Sequence, residues 1–403
     1  MITRRFLLQS VAAAAAYSAQ GFPVALAENA RGVTDTTIKI GQTMAYSGPA
    51  SAYGVIGRAE AAYFRMINEQ GGINGRKINL ISADDGFSPP KTVEQTRRLV
   101  EQEGVAFIFG SLGDPTNLAV RQYLNDNKIP QLFVAALAES VADPEHYPWT
   151  IPLHNSASSE HHVYARYILA TKPNARIGVL YQNDPVSKIG LGAFRESLGP
   201  KAASMVVKEV SFEVTDPTVD SQVISLQASG ADTFMIDAAP KGAAQAIRKA
   251  YDLGWAPDRF VINAASSIEG VMKPAGLEKS KGVITAAYGK DPNDPRWKDD
   301  PGVKEFAAFV AKYLSATDFK DQFAFYGYHV AIVLTGVLKQ CGDDLSRDNI
   351  MRQALSLNDF TTPLLLPGIT INTSPTNYLP IRQFQLARFN GENWELFGGV
   401  LTG

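Results

Sequence analysis

Small, polar and aromatic side chains stand where the predicted strands of this chain end, and they could bind a small molecule. The stretch YSGPASAYG, Tyr46 to Gly54, follows a predicted strand over Thr37 to Met44 and leads into a predicted helix. The Gly-Pro pair inside it ends the strand, because glycine frees the backbone and proline removes a hydrogen-bond donor. Ser47 and Tyr53 are therefore expected at the carboxyl end of a strand, where open α/β sheets bind their ligands.

Further predicted strand ends repeat this pattern, and each is followed by the start of a predicted helix. They are Gly110 to Thr116, Ala135 to Glu139, Tyr181 to Asp184, Asp237 to Pro240 and Asn263 to Ser267. Helix N-termini offer free backbone N–H groups and a positive dipole end, which suit a ligand that carries a carboxylate. Each loop alone also fits an ordinary strand-to-helix connection. A binding cleft is favoured only by all these loops taken together and by the export signal predicted below.

Catalytic and metal-binding signatures are missing from the sequence. It has no P-loop, no nucleophile elbow and no zinc-protease motif, and the glycines of Gly190 to Gly192 do not complete a dinucleotide fingerprint. Glu160, His161 and His162 are adjacent on a predicted helix and do not face one point, so we interpret them as part of a helix surface. We expect no enzyme, no cofactor and no metal.

Length, charge and the N-terminus narrow the class of protein. The chain has 403 residues and a formal net charge of -2, which argues against nucleic acid as a partner. Paired arginines, an Ala-rich apolar stretch and Ala25-Leu26-Ala27 predict an export signal over residues 1–27, cleaved after Ala27. The signal is twin-arginine-like, with Sec export left open, and an uncleaved anchor is the weaker alternative. We expect a periplasmic monomer whose single cysteine, Cys341, is a buried thiol at a helix end.

Predicted strands and helices alternate in two series, the first from Thr37 to Ala135 and the second from Ala157 to Asn263. This alternation indicates βαβ units and parallel sheets, hence an α/β fold with two doubly wound, Rossmann-like lobes. The last third differs. It has a strand at Val283 to Tyr288, three helices, and short antiparallel strands between Ile369 and Phe397. Such a tail often returns to an earlier lobe.

The chain resembles the periplasmic binding proteins of the leucine/branched-chain amino-acid type, over nearly the whole mature sequence. The resemblance is carried by IKIGQTMAYSGPASAYG, NEQGGINGRKINL, GSLGDPTNLAV, PNARIGVLYQND, KGAAQAIRKAYDLGW and LPGITINTSPTNYLPIRQFQL, in this order. It implies two lobes joined by three crossover segments, with a ligand cleft between them. Lobe 1 would comprise residues 35–153 and 283–360, and lobe 2 residues 154–282 and 361–403.

The resemblance also implies a function, namely hinge closure around a small ligand and its delivery to an ABC permease with its ATPase subunits. The alternative is a ligand sensor of the same fold. In the family, a serine, a threonine and a glutamate hold an amino acid, but the matching positions carry Asp114, Glu139 and Ala265, and the covering aromatic residue is replaced by Val186. These differences favour an organic or aromatic acid or an amide over a standard branched-chain amino acid.

We expect the ligand-binding residues to come from both predicted walls of the cleft. They are Ser47, Tyr53, Gly113, Asp114, Thr116, Ala135, Ala136, Leu137, Glu139, Tyr181, Asp184, Val186, Asp237, Ala265 and Tyr288.

Overall fold

The computed structural model describes residues 29–48, 50–292, 294–315 and 322–403. The predicted export signal, residues 1–27, and Pro49 of the first loop lie outside this part of the chain. In the described residues, no helix is long and apolar enough to cross a membrane.

The first sheet has five parallel strands in the order β2-β1-β3-β4-β5. Strands β1 to β5 are Thr37–Met44, Lys77–Asp84, Ile108–Phe109, Gln131–Val134 and Thr150–Pro152. The order places β1 and β3 side by side, so the loops that follow both strands meet at one edge of the sheet. Strand β3 has two residues, and the amide of Ala106 before it also donates to the Lys39 carbonyl of β1, at 2.8 Å.

The second sheet has seven strands in the order β12-β11-β10-β9-β8-β6-β7, and β11 and β12 are antiparallel. Strands β6 to β12 are Ile177–Gln182, Val206–Phe212, Thr233–Asp237, Asp258–Val261, Ile284–Ala287, Gln383–Phe389 and Trp394–Thr402. The sheets confirm the predicted fold of two doubly wound α/β lobes. The antiparallel pair also confirms that the tail changes type, and the pair extends the second sheet.

Helices connect and cover the strands of both sheets. The α-helices are Gly54–Glu69, Pro89–Arg97, Asp114–Asp126, Ala157–Thr171, Pro185–Leu198, Ala202–Met205, Asp220–Ala228, Pro240–Asp252, Lys273–Ala275, Leu277–Ser280, Pro301–Tyr313, Gln322–Cys341 and Arg347–Ala354. Proline occupies one of the first two positions in several of them, where its missing N–H costs nothing. Cys341 is buried at the end of its helix, as predicted.

The division of the chain between lobes differs from the expected one at one strand. Residues 283–360 were expected in lobe 1, but β10 pairs with β9 on one side and with β11 on the other, so it belongs to the second sheet. The helix Gln322–Cys341 does cover the first lobe. A Cβ on Gly327 would lie only 2.5 Å from the Ile56 carbonyl oxygen of the helix Gly54–Glu69, so glycine permits this close packing.

In the described part of the chain, three segments cross between the sheets, after β5, after β10 and before β11. They lie side by side, since Asn155 forms a β-bridge with Ile381, and Gly289 forms one with Leu365. Backbone pairing between crossovers restricts their separate movement, so the region is suited to act as a hinge.

Candidate ligand cleft

The loop after β1 is held in place by a carboxylate of the neighbouring strand. The Ser47 hydroxyl donates to Oδ2 of Asp84 at 2.5 Å, and the amides of Tyr46 and Ser47 donate to Oδ1 at 2.9 and 3.1 Å. The Ser47 hydroxyl bond, with help from the backbone N–H groups, lowers the pKa of Asp84. Ser47 therefore shapes the loop, and its hydroxyl proton is already used within the protein.

Asp114 begins the helix Asp114–Asp126 at the carboxyl edge of the first sheet. Its Oδ1 accepts the backbone N–H of Ala138 at 2.6 Å, so the side chain ties its own loop to the loop after β4. Burial raises the pKa of Asp114, and the charge of Asp184 on the second lobe raises this pKa further. The backbone N–H groups of Ala138 and Leu137 act in the opposite direction, because their hydrogen bonds favour the charged carboxylate.

Thr116 and Gly113 build the turn beneath Asp114. Thr116 is fully buried, and its hydroxyl donates to backbone carbonyl groups of the turn, Leu112 and Gly113. Gly113 has φ +97°, and a Cβ there would lie 2.4 Å from Cε2 of Phe87. The turn therefore requires glycine for two reasons, and Thr116 stabilises the turn instead of presenting its hydroxyl to the cleft.

Phe87 is a residue of this edge that the sequence analysis missed. Its ring lies against Gly113, and its backbone has φ +62°, a left-handed conformation that is rare for an aromatic residue. Its amide donates to Oδ1 of Asp85 at 2.9 Å, which holds that conformation. The Asp-Asp-Gly turn before Phe87 was a signal for an unusual backbone, although not for an aromatic ring at the cleft.

The two lobes touch at the loop after β4. Ala136 and Ala138 are buried in a small apolar cluster with Val134 and Val141, and Val186 of the second lobe packs against this cluster. Ala135 lies beside them in the loop, where it forms a β-bridge with Leu112, and Leu137 is half-buried. The structure thus brings the predicted small residues of lobe 1 and Val186 of lobe 2 together.

Glu139 joins the lobes instead of facing an open cleft. Its Oε1 accepts the Ser156 hydroxyl and the Ser158 amide at 2.5 and 2.8 Å, and its Oε2 accepts the Ser158 hydroxyl at 2.7 Å. Both serines belong to the start of the helix Ala157–Thr171, where the helix dipole favours a negative charge. Both oxygens of Glu139 thus already accept hydrogen bonds from lobe 2, and its contact with a ligand stays a prediction.

Asp184 caps the helix Pro185–Leu198 on the second lobe. It accepts the Ser187 amide at 2.8 Å and the side-chain amide of Gln182 at 2.6 Å. Tyr181 precedes it at the end of β6, and its ring is half-buried. The same edge of the second sheet also carries Asp237, whose Oδ1 accepts the Ser187 hydroxyl at 2.9 Å.

His161 forms a buried ion pair with Asp237, with 3.0 Å between Nε2 and Oδ2, and its Nδ1 lies 2.8 Å from the Ala157 carbonyl oxygen. Burial lowers the pKa of His161, but the hydrogen bond and charge of Asp237 outweigh it, so the net shift is upward. The interpretation of His161 as a surface residue is wrong, since its side chain is only 3% exposed. The His161 ring packs against Gly190 of the neighbouring helix. A glycine is needed at this position, because a Cβ there would lie 2.4 Å from Cε1 of His161.

Glu160 is the second buried ionisable group of this region. It accepts hydrogen bonds from the Tyr164 hydroxyl at 2.7 Å, the Asn263 amide at 2.5 Å and the Asn155 side chain at 2.9 Å. Burial raises its pKa to about 7, although the charge of His161 opposes the shift. The helix that carries Glu160 and His161 therefore has its polar groups directed into the protein.

Tyr288 follows β10, and its side chain makes no hydrogen bond within the described residues, although the residue is only 7% exposed. Burial raises the pKa of its phenol, and the charge of Glu160 adds to the effect. On the first lobe, the ring of Tyr53 lies 4.7 Å from that of Phe323, centroid to centroid. Both tyrosines remain candidates for ligand contact.

Ala265 does not lie where it was expected. It is fully buried in the apolar core of the second lobe, among residues such as Val261 and Val271. The expectation that Ala265 lines the cleft is contradicted, because a helical turn after β9 directs this position inward. Within the described residues, no group of acidic, histidine or cysteine side chains is arranged to hold a metal ion.

Comparison with known proteins identifies relatives whose sequences match most of this chain. The Leu/Ile/Val-binding protein homolog 7 of Brucella abortus (strain 2308) is 23% identical over 369 residues, which is 89% of this chain and 89% of the relative. The Leu/Ile/Val-binding protein homolog 1 of Brucella suis biovar 1 (strain 1330) is 24% identical and covers 76% of this chain and 79% of its own length.

Solved structures share the fold at low sequence identity. A branched-chain amino acid ABC transporter protein from Thermus thermophilus with bound valine matches with TM-score 0.80, 14% identity and coverage of 92% of this chain and 98% of that one. A fatty acid ABC transporter substrate-binding protein from Thermomonospora curvata matches with TM-score 0.75, 20% identity and coverage of 94% and 95%. The family model described as "Periplasmic binding protein" matches residues 37–393, and the chain therefore belongs to the periplasmic binding protein family.

Proposed function

We propose that this protein is an extracytoplasmic solute-binding protein, which captures a small organic ligand by hinge closure and delivers it to an ABC permease with its ATPase subunits. The observation that carries the proposal is the contact of Val186 on the second lobe with the apolar cluster at the end of β4 on the first lobe. The loops that meet there follow the carboxyl ends of parallel strands, where α/β sheets place their ligands. The crossovers on which such closure would turn are paired side by side.

Family relatives support the transport part of the proposal. The two matched structures named above are ABC transporter proteins, one with bound valine and one for fatty acids. The ligand of this chain is proposed to be an organic or aromatic acid or an amide, because the positions that hold an amino acid in the family carry Asp114, Glu139 and Ala265 here. Ligand capture without turnover, by a monomer of the mature chain in the periplasm, follows from the same proposal.

An engineered disulfide tests closure directly. Val186→Cys would be paired with Ala138→Cys, or with Ala136→Cys, in the cluster that Val186 contacts. If the lobes close around a ligand, the disulfide forms faster when a bound compound favours the closed state. The natural thiol of Cys341 is buried, so it interferes little. Hinge closure would be contradicted if the compounds that raise the melting temperature left the rate of disulfide formation unchanged.

Uptake distinguishes transport from sensing. Radiolabelled ligand should accumulate in cells that express this protein with its permease and ATPase, and accumulation should stop when this protein alone is removed. Binding without any effect on uptake would favour the alternative, a ligand sensor of the same fold.

A further inference from the structure

The loop after β2 begins with a tight turn in which two successive residues have a left-handed backbone. Gly86 has φ +57° and Phe87 has φ +62°, and the Ser88 amide donates to the Asp85 carbonyl oxygen at 3.0 Å. Turns with positive φ at both central positions favour glycine and asparagine, because larger side chains are strained there. Gly86 follows this rule, and Phe87 breaks it.

Hydrogen bonds of a buried carboxylate hold Phe87 in this conformation. Its amide donates to Oδ1 of Asp85 at 2.9 Å, and Oδ2 of Asp85 accepts the Thr92 hydroxyl at 2.8 Å. Asp85 is only 1% exposed, and its amide donates at 3.0 Å to the carbonyl oxygen of Met44, the last residue of β1. A strained residue that its surroundings fix so firmly indicates a functional role.

The Phe87 ring crosses the carboxyl end of β1. Strand β1 lies between β2 and β3 in the sheet, and the ring extends from the loop after β2 to Gly113 in the loop after β3. It packs against the core of the protein but is only half-buried. Part of the ring therefore stays uncovered at the edge of the sheet where α/β proteins bind their ligands.

Packing within the protein does not account for the whole ring. Phe133 of β4 has a similar backbone, with φ +53°, but its side chain is fully buried in the core. Phe87 carries the same kind of backbone strain, although less of its ring is removed from water. An apolar group of a ligand that covered the rest of the ring would supply the missing burial.

We propose that Phe87 is a specificity-determining residue of the ligand cleft, whose ring stacks against an aromatic group of the ligand. The inference rests on the proposed function and narrows it, since an aromatic acid or amide would bind more tightly than its saturated counterpart. Two aromatic rings gain from offset or edge-to-face contact beyond the area that they bury. Because the turn holds the Phe87 ring in place beforehand, little ordering is needed when the ligand binds.

Matched compounds test the aromatic group separately from the head group. Melting temperatures of the mature protein would be measured with phenylacetate and cyclohexylacetate, and with phenylacetamide and cyclohexylacetamide. The members of each pair share their head group and their number of carbon atoms and differ only in the ring. We expect the aromatic member of at least one pair to raise the melting temperature more, because stabilisation increases with affinity.

Two substitutions assign this preference to Phe87. Phe87→Leu keeps an apolar side chain on the strained backbone, whereas Phe87→Asn removes the apolar ring and tolerates a positive φ. In both proteins the affinity for the preferred aromatic compound, measured by calorimetry, should fall about tenfold through loss of the ring contact. The affinity for the saturated compound of the same pair should change less.

Stability distinguishes a ring that serves the ligand from one that serves the core. The ligand-free Phe87→Asn protein should melt within about 3 °C of the parent, because relief of the left-handed strain offsets the lost packing. Lys128 supplies the matched control, since it has φ +50° in the same lobe but precedes β4, at the opposite edge of the sheet. Lys128→Asn should leave the affinity for every compound unchanged.

Three results would overturn the inference and leave the proposed function standing. The first is a parent protein that neither aromatic compound stabilises more than its saturated counterpart. The second is an aromatic preference that persists in Phe87→Leu and Phe87→Asn. The third is a ligand-free Phe87→Asn protein that melts more than about 10 °C below the parent and binds the compounds with unchanged affinity. Failure of the proposed function has a different signature, an interlobe disulfide rate that is unchanged by any compound that binds.

Discussion

Replacement of Glu160 by glutamine should make the protein's stability less sensitive to pH. The pKa of Glu160 is raised from 4.5 to about 7, with burial as the main cause and with His161, Asp237 and Tyr164 as its neighbours. The folded state therefore binds a proton that the unfolded state releases. This contribution to stability is complete below about pH 4.5 and is lost as pH rises through about 7.

The size of the effect follows from the two pKa values. Each pH unit between 4.5 and about 7 changes the free energy of unfolding by about 1.4 kcal/mol, so the parent protein loses about 3 kcal/mol in total from this group. Part of the loss has occurred by pH 5. Relative to the parent, Glu160→Gln should therefore gain about 2 to 3 kcal/mol between pH 5 and pH 9.

The assay is urea unfolding followed by circular dichroism at pH 5, 7 and 9, with the midpoints of both proteins compared at each pH. Glu94→Gln is the matched control, because Glu94 is an exposed glutamate on the helix Pro89–Arg97. A difference between Glu160→Gln and the parent that stays within about 0.5 kcal/mol from pH 5 to pH 9 would refute the reasoning. It would mean that Glu160 ionises freely in the folded protein.

Three further predictions concern the lobes, their packing and export. Glu139→Ala removes three hydrogen bonds to the start of a lobe 2 helix and should lower the unfolding free energy by about 1 to 3 kcal/mol, measured by urea unfolding, whereas Glu139→Gln should lose less. Gly190→Ala would place a Cβ 2.4 Å from Cε1 of His161 and should cost about 1 to 3 kcal/mol; a melting temperature equal to that of Gly192→Ala, where a Cβ meets nothing within 4 Å, would contradict this. Replacement of Arg4 and Arg5 by lysine should block export if the twin-arginine route is used, and fractionation with N-terminal sequencing of the mature protein would show it.

The fold could be predicted from the sequence to a large extent because local patterns determine it. Helical periodicity and turn residues placed most strands and helices, including the helix that ends at buried Cys341. The assignment of β10 failed for a physical reason, since a short strand of small and β-branched residues fits either sheet by composition. Its pairing with β9 and β11 depends on long-range hydrogen bonds.

The candidate site was predictable only at the level of loops. The strand-end rule pointed to the loops that carry Asp114, Glu139 and Asp184, but it could not say which way each side chain points. Glu139 turned out to cap a helix of the other lobe, and Ala265 lies in the core. His161 looked like a surface residue because its partner, Asp237, is remote in sequence.

The sequence by itself determined two alternating α/β series with ligand-competent loops, because spacing and composition act locally, and its resemblance to the periplasmic binding proteins indicated the family. Only the tertiary structure decided which acids remain available to a ligand. Asp84, Glu139 and Asp184 each accept hydrogen bonds at both carboxylate oxygens, whereas Asp114 accepts the Ala138 amide at Oδ1. Hydrogen bonds between distant segments make this difference, and the order of residues along the chain does not contain them.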